Sequence, residues 1–144
     1  ATLFALRDAG DALPSCAVCL SPWTDLEGTG ASAQPGGADD PMIGIDGLRD
    51  TGRLYAPDAL RHPLAAPLYG NFTGLPPLLI QVGTREVLLD DATRVADKAR
   101  AAGVPVQLEI EDGAFHVWHA MPHLPEAIDA VRRIGAFVRQ MGSE

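Results

Sequence analysis

The chain has 144 residues, 47% of them hydrophobic, and carries a formal charge of −8 at pH 7. That size and composition fit one ordinary domain with a real core, with disorder confined to local loops. The acidic balance and the absence of any Lys/Arg run argue against a nucleic-acid or anionic-membrane partner, and no apolar run approaches the roughly 18 residues needed to span a bilayer.

Residues 1–10, ATLFALRDAG, read as the last turns of a helix that stops near Gly10. Ala1 is a poor cap and no signal-peptide pattern precedes it, so the chain is expected to be part of something longer. Residues 15–21, SCAVCLS, form a short apolar strand bounded by Pro14 and Pro22. Cys16 and Cys19 are three apart, but in a strand they point to opposite faces, and no second pair completes a zinc site. They are expected to be buried small hydrophobes in a reducing, cytoplasmic setting. Trp23 to Asp40 is rich in Gly, Ala, Ser and Thr and reads as an exposed loop centred on Pro35, Gly36 and Gly37. A helix is expected over residues 46–57, followed by turn-rich structure through HPLAAPLYGNFTGLPP.

The clearest signals come next. Residues 77–82, with LLIQV, are a continuous apolar strand of the kind buried on both faces of a parallel sheet. A helix from about Asp90 to Ala102 carries Val95, Ala96, Ala99 and Ala102 on one face, and Gly103 ends it. Asp90 and Asp91 suit the positive end of its dipole. VPVQLEI, residues 104–110, is the third strand. The last helix runs from about Pro125 to Met141, with Ile128, Val131, Ile134, Val138 and Met141 expected as its buried stripe. The order predicts an α/β fold of three parallel strands with flanking helices.

In such sheets function collects in the loops after the carboxyl ends of the strands. Those loops carry Ser21, Thr24 and Asp25; then Thr84, Arg85, Glu86, Asp90 and Asp91; then Glu111, Asp112, His116 and His119. His116 follows EDGAF, a turn that Gly113 allows to bend sharply, and from there an imidazole could act as a base over the sheet edge. Such a base needs a carboxylate on its other ring nitrogen. Glu86, immediately after LLIQVG, is the better candidate, with Asp90 as the fallback. His119, in HVWH, could be half of a metal pair, but the sequence offers no third ligand and no metal is expected. The nucleophile is missing. The serines are Ser15, Ser21, Ser32 and Ser143, and none sits in a G-x-S-x-G elbow.

SPWTDL at 21–26, DPMI at 40–43, HPLAAPLYGNFTGLPPLLIQVG at 62–83, EVLLDD at 86–91, RAAGVPV at 100–106 and GAFHVWH at 113–119 together resemble the C-terminal half of the hormone-sensitive-lipase-like α/β-hydrolases, the bacterial esterases. The resemblance implies His116 as the catalytic histidine and Glu86 as the acid, where many members have aspartate. It implies that residues 1–144 are a partial catalytic domain beginning just past the nucleophile elbow, with the N-terminal half, the glycine-rich oxyanion loop and the cap lying outside it. It further implies a short- or medium-chain acyl ester as substrate and no cofactor. A different class of function is also open: a non-catalytic α/β module whose first strand, SCAVCL, lacks a neighbour and so binds a complementing N-terminal half or forms a homo-oligomer. A third reading is a complete flavodoxin-like domain with Asp25 or Asp90 as an acidic site.

Overall fold

A strand with no exposed residue organises the molecule. Leu78–Gly83 (β2) is buried along its whole length. The structure, a computed structural model, describes residues 1–142, so Ser143 lies outside the described residues. Parallel to β2 run Ala17–Leu20 (β1) on one side and Val106–Glu111 (β3) on the other. The sheet order is β1-β2-β3. This rules out the flavodoxin-like reading, whose first strand would lie between the second and third. β1 is shorter than the expected 15–21, and β3 starts only after Pro105, which has no N–H to give to a ladder.

Helices Thr2–Ala9 (α1), Ile45–Tyr55 (α2), Leu89–Ala101 (α3) and Pro125–Met141 (α4) complete the fold. Gly10, at φ 75°, ends α1 as its sequence predicts. Phe4 of α1 and Val95, Ala96 and Ala99 of α3 share one core with Ile80 and Val82. Alternation along β2 turns Gln81 to the opposite face, where its side-chain amide donates to the carbonyl of Ala130 on α4 at 3.2 Å.

That opposite face combines the apolar Leu79 with Gln81, and the stripe expected on α4 is met only in part, with Ile134 and Met141 half-buried. The helix buries Ala127, Ala130 and Phe137, whereas Ile128, Val131 and Val138 are 42%, 52% and 46% exposed. Small alanines let α4 sit close to a sheet face bearing Gln81, Glu109 and Glu111. Arg133 from the same helix reaches Glu109 at 2.6 Å and Glu111 at 2.8 Å.

The segment from Trp23 is also not the exposed loop that its composition predicts. Thr24, Asp25, Leu26, Ser32 and Ala33 are buried, and the continuous exposed run is confined to residues 34–37. Carboxylates do the work that a sheet ladder does elsewhere. Asp91 Oδ2 accepts the backbone N–H groups of Thr24 at 2.6 Å and Asp25 at 2.7 Å. Asp25 in turn accepts from Thr29, Tyr69 and Arg94. The two cysteines are free and half-buried rather than buried, because β1 lies at the sheet edge. Among the described residues no helix is long and apolar enough to cross a membrane.

Asp91→Ala leaves two buried backbone donors without an acceptor, and it is expected to lower the unfolding free energy by about 2–4 kcal/mol in urea denaturation. Asp91→Asn, whose side-chain oxygen still accepts, is expected to lose clearly less.

Candidate active site

The turn after β2 and the turn after β3 are laced together before either side chain is considered. Thr84 N–H donates to Glu111 O at 3.0 Å, and Arg85 N–H donates to Ala114 O at 3.1 Å. Gly83 makes this approach possible, because a β-carbon there would lie 2.2 Å from the Ala114 carbonyl oxygen. Gly113 supplies the bend in the second turn with φ 71°, and its N–H donates to Thr84 Oγ1 at 2.8 Å.

This lacing brings Glu86 and His116 together. Glu86 Oε2 lies 3.1 Å from His116 Nδ1. The other oxygen, Oε1, accepts the Gly83 N–H at 2.7 Å and the Ser21 hydroxyl at 2.7 Å. The Glu86 side chain is fully buried, while that of His116 remains 23% exposed. An ionised carboxylate can only accept, so the proton of a neutral His116 sits on Nδ1 and its Nε2 presents a lone pair. The arrangement can hold one tautomer and stabilise the imidazolium formed when Nε2 takes a proton.

Asp90 is placed elsewhere. Its Oδ2 accepts the Ser32 N–H at 3.0 Å, and the Ser32 hydroxyl accepts the Asp90 N–H at 3.0 Å. Of the two acids named from the sequence, Glu86 meets the imidazole and Asp90 clamps the 31–33 turn to α3. Asp39 and the DPMI segment that follows it reach the acid turn. Asp39 pairs with Arg85 at 2.8 Å, and Asp40 accepts the Val87 N–H at 3.2 Å and the Met42 N–H at 2.9 Å.

The sequence places Ser21 on the loop after the first strand but assigns it no role. The Ser21 hydroxyl, besides donating to Glu86, accepts the Val117 N–H at 3.0 Å, and the residue is buried. Ser21 has φ 46° and Val117 has φ 49°, a left-handed conformation unusual for both and worst for a β-branched residue. Nothing in a serine marks such a backbone; the available signal was its place at the carboxyl end of β1.

His119 does not converge with His116. Its Nε2 meets Gln81 Oε1 at 2.9 Å, and its ring stacks on Trp118 with centroids 3.9 Å apart. Gln81 spends its amide N–H groups on Glu109 and Ala130, so its oxygen accepts and His119 carries its proton on Nε2. Burial, helped by nearby Arg133, lowers the His119 pKa to about 4. Among the described residues no cluster of three or more His, Cys, Asp or Glu could hold a metal ion.

His119 and Asp91 make opposite contributions on acidification. Burial raises the Asp91 pKa from 3.8 to about 6 despite the hydrogen bonds it accepts. Between those values the folded state binds the extra proton, so this contribution is full below about pH 4 and fades as pH rises through 6. For His119 the unfolded state binds the extra proton between about 4 and 6.5, so its contribution is full above 6.5 and fades as pH falls through 4. Unfolding free energies measured from pH 7 to 4.5 are expected to fall more steeply for Asp91→Asn than for the wild type, and less steeply for His119→Gln. Identical slopes in all three proteins would contradict this assignment.

Residues 1–120 match the family model for the alpha/beta hydrolase fold. The chain is 49% identical to an acetyl-hydrolase of Streptomyces hygroscopicus, over all of this chain and 49% of that protein. An esterase of Acinetobacter venetianus is 32% identical over 94% of this chain and 46% of its own length. The crystal structure of an esterase from the bacterial hormone-sensitive lipase family superposes on 96% of this chain with a TM-score of 0.92 and 45% identity, using 48% of that structure. The chain thus spans about half the length of the relatives it matches. By motif order, sheet topology and these likenesses, it belongs to the α/β-hydrolase fold family, in its hormone-sensitive-lipase-like branch.

Proposed function

We propose that this chain is the acid–base part of a serine carboxylic ester hydrolase, and that residues 1–144 form the carboxyl-terminal portion of its catalytic domain. The Glu86–His116 hydrogen bond carries the reading. His116 Nε2 takes the proton of a serine hydroxyl as that oxygen attacks the ester carbonyl, and returns it to the leaving alcohol. Glu86 fixes the tautomer and offsets the imidazolium charge. A water then repeats the cycle on the acyl-enzyme. The serine and the oxyanion donors come from polypeptide outside this chain, since no serine here sits in an elbow and Ser21 is bonded to Glu86. The substrate in this reading is a short- to medium-chain acyl ester; the names of the acetyl-hydrolase and esterase relatives support an ester, without its chain length.

The isolated chain is expected to show negligible turnover of a p-nitrophenyl acyl ester. Activity is expected on mixing or fusion with the half of the Streptomyces acetyl-hydrolase that this chain does not match. In that reconstituted enzyme His116→Ala is expected to cost on the order of 10³- to 10⁴-fold in kcat, and Glu86→Gln a comparable factor, with Glu86→Asp retaining more. Turnover by the isolated chain that survives His116→Ala would overturn both site and mechanism.

One observation also favours a binding role for the isolated chain. β1 is an edge strand whose Leu20 is 37% exposed, a surface suited to a complementing strand or to self-association. Size-exclusion chromatography is expected to show a concentration-dependent oligomer that dissociates when the complementing half is added. A monomer that ignores that half would remove this reading.

A further inference from the structure

We infer that Ser21 is a positioning residue of the ester hydrolase, its hydroxyl joining the acid to the histidine loop and turning the Glu86 carboxylate toward His116. This inference rests on the reading of Glu86 and His116 as acid and base. Glu86 reaches its site on two methylenes, and nothing in an isolated glutamate decides which oxygen faces the imidazole. Two donors decide it here. Gly83 N–H and Ser21 Oγ–H both end on Oε1, each at 2.7 Å, which leaves Oε2 for His116 Nδ1.

Of the two, the serine does something the backbone amide cannot. The same oxygen that donates to Glu86 accepts the Val117 N–H at 3.0 Å, one residue beyond the histidine. One hydroxyl therefore touches the loops after β2 and β3 while standing at the end of β1. A hydroxyl is suited to this place because it donates once and accepts from the other side, whereas a carboxyl or amide would overfill a buried site. The backbone is bent to put it there. Ser21 N–H still closes the sheet ladder on Gln81 O at 2.8 Å, yet the residue adopts φ 46°, and Val117 opposite adopts φ 49°. Two strained residues facing each other across one hydroxyl are a constraint that β1, too short to pack much, does not need for itself. The chain thus uses its first strand, which contributes neither acid nor base, to fix the relative position of the two strands that do.

Ser21→Gly separates the hydroxyl from the backbone, because glycine accepts positive φ without strain; Ser21→Ala removes the hydroxyl and keeps the strain. In the reconstituted enzyme both variants are expected to lower kcat by on the order of 10- to 100-fold while KM stays within about twofold, as for a misaligned base rather than a lost binding contact. In the isolated chain, amide hydrogen exchange at Val117 is expected to quicken at least about tenfold in Ser21→Gly, with the amides of β2 unchanged. Wild-type kcat in Ser21→Gly, or unaltered exchange at Val117, would overturn the assignment. If His116→Ala leaves turnover intact, the hydrolase reading fails on its own, and exchange at Val117 still decides whether the hydroxyl joins the loops.

Discussion

A buried carboxylate with its two oxygens given separate partners is the constraint on which the site depends. Glu86 is fully buried with one oxygen held by Gly83 and Ser21 and the other against His116. A charge removed from water must be matched by donors of good geometry, and every one of these donors belongs to a different structural element. Gly83 closes β2, Ser21 follows β1, and His116 follows β3. The carboxylate is therefore satisfied only when all three strands are in register. The Glu86–His116 contact thus depends on the sheet register.

The rest of the sheet edge obeys the same logic with other acids. Asp91 gathers the backbone of Thr24 and Asp25, Asp90 holds the turn at Ser32, and Asp40 bridges Val87 to its own segment. These contacts bring a long insertion between β1 and β2 down onto the start of α3, with the helical turn at residues 31–33 held against Val87 and Asp90. The −8 charge of the chain finds part of its use here, in carboxylates that act as acceptors for buried N–H groups rather than as a surface for partners.

Much of this was legible in residues 77–119, where each signal agrees with its neighbours. LLIQV could only be a strand buried on both faces, the Val95, Ala96, Ala99 face could only be a helix on that strand, and Glu86 and His116 fall on loops that a parallel sheet must bring to one edge. What could not be read depends on tertiary partners. Trp23 to Asp40 looks like a solvated loop because its composition is that of one; its burial comes from acceptors fifty and more residues away. On α4 the hydrophobic period selected Ile128 and Val131, but the helix packs through Ala127, Ala130 and Phe137, and beside Ala130 it comes close enough for the Gln81 amide to reach its carbonyl. Ser21 was passed over because a hydroxyl's partners and a positive φ leave no trace in the sequence.

The most direct measurement is the ring-proton NMR spectrum of the chain with ¹⁵N-labelled histidine. One downfield Nδ1–H resonance, protected from solvent and assigned to His116, is expected, and it disappears in Glu86→Gln while the rest of the spectrum stays folded. A His116 ring that carries its proton on Nε2, or that is indifferent to the loss of the Glu86 charge, would contradict the pairing.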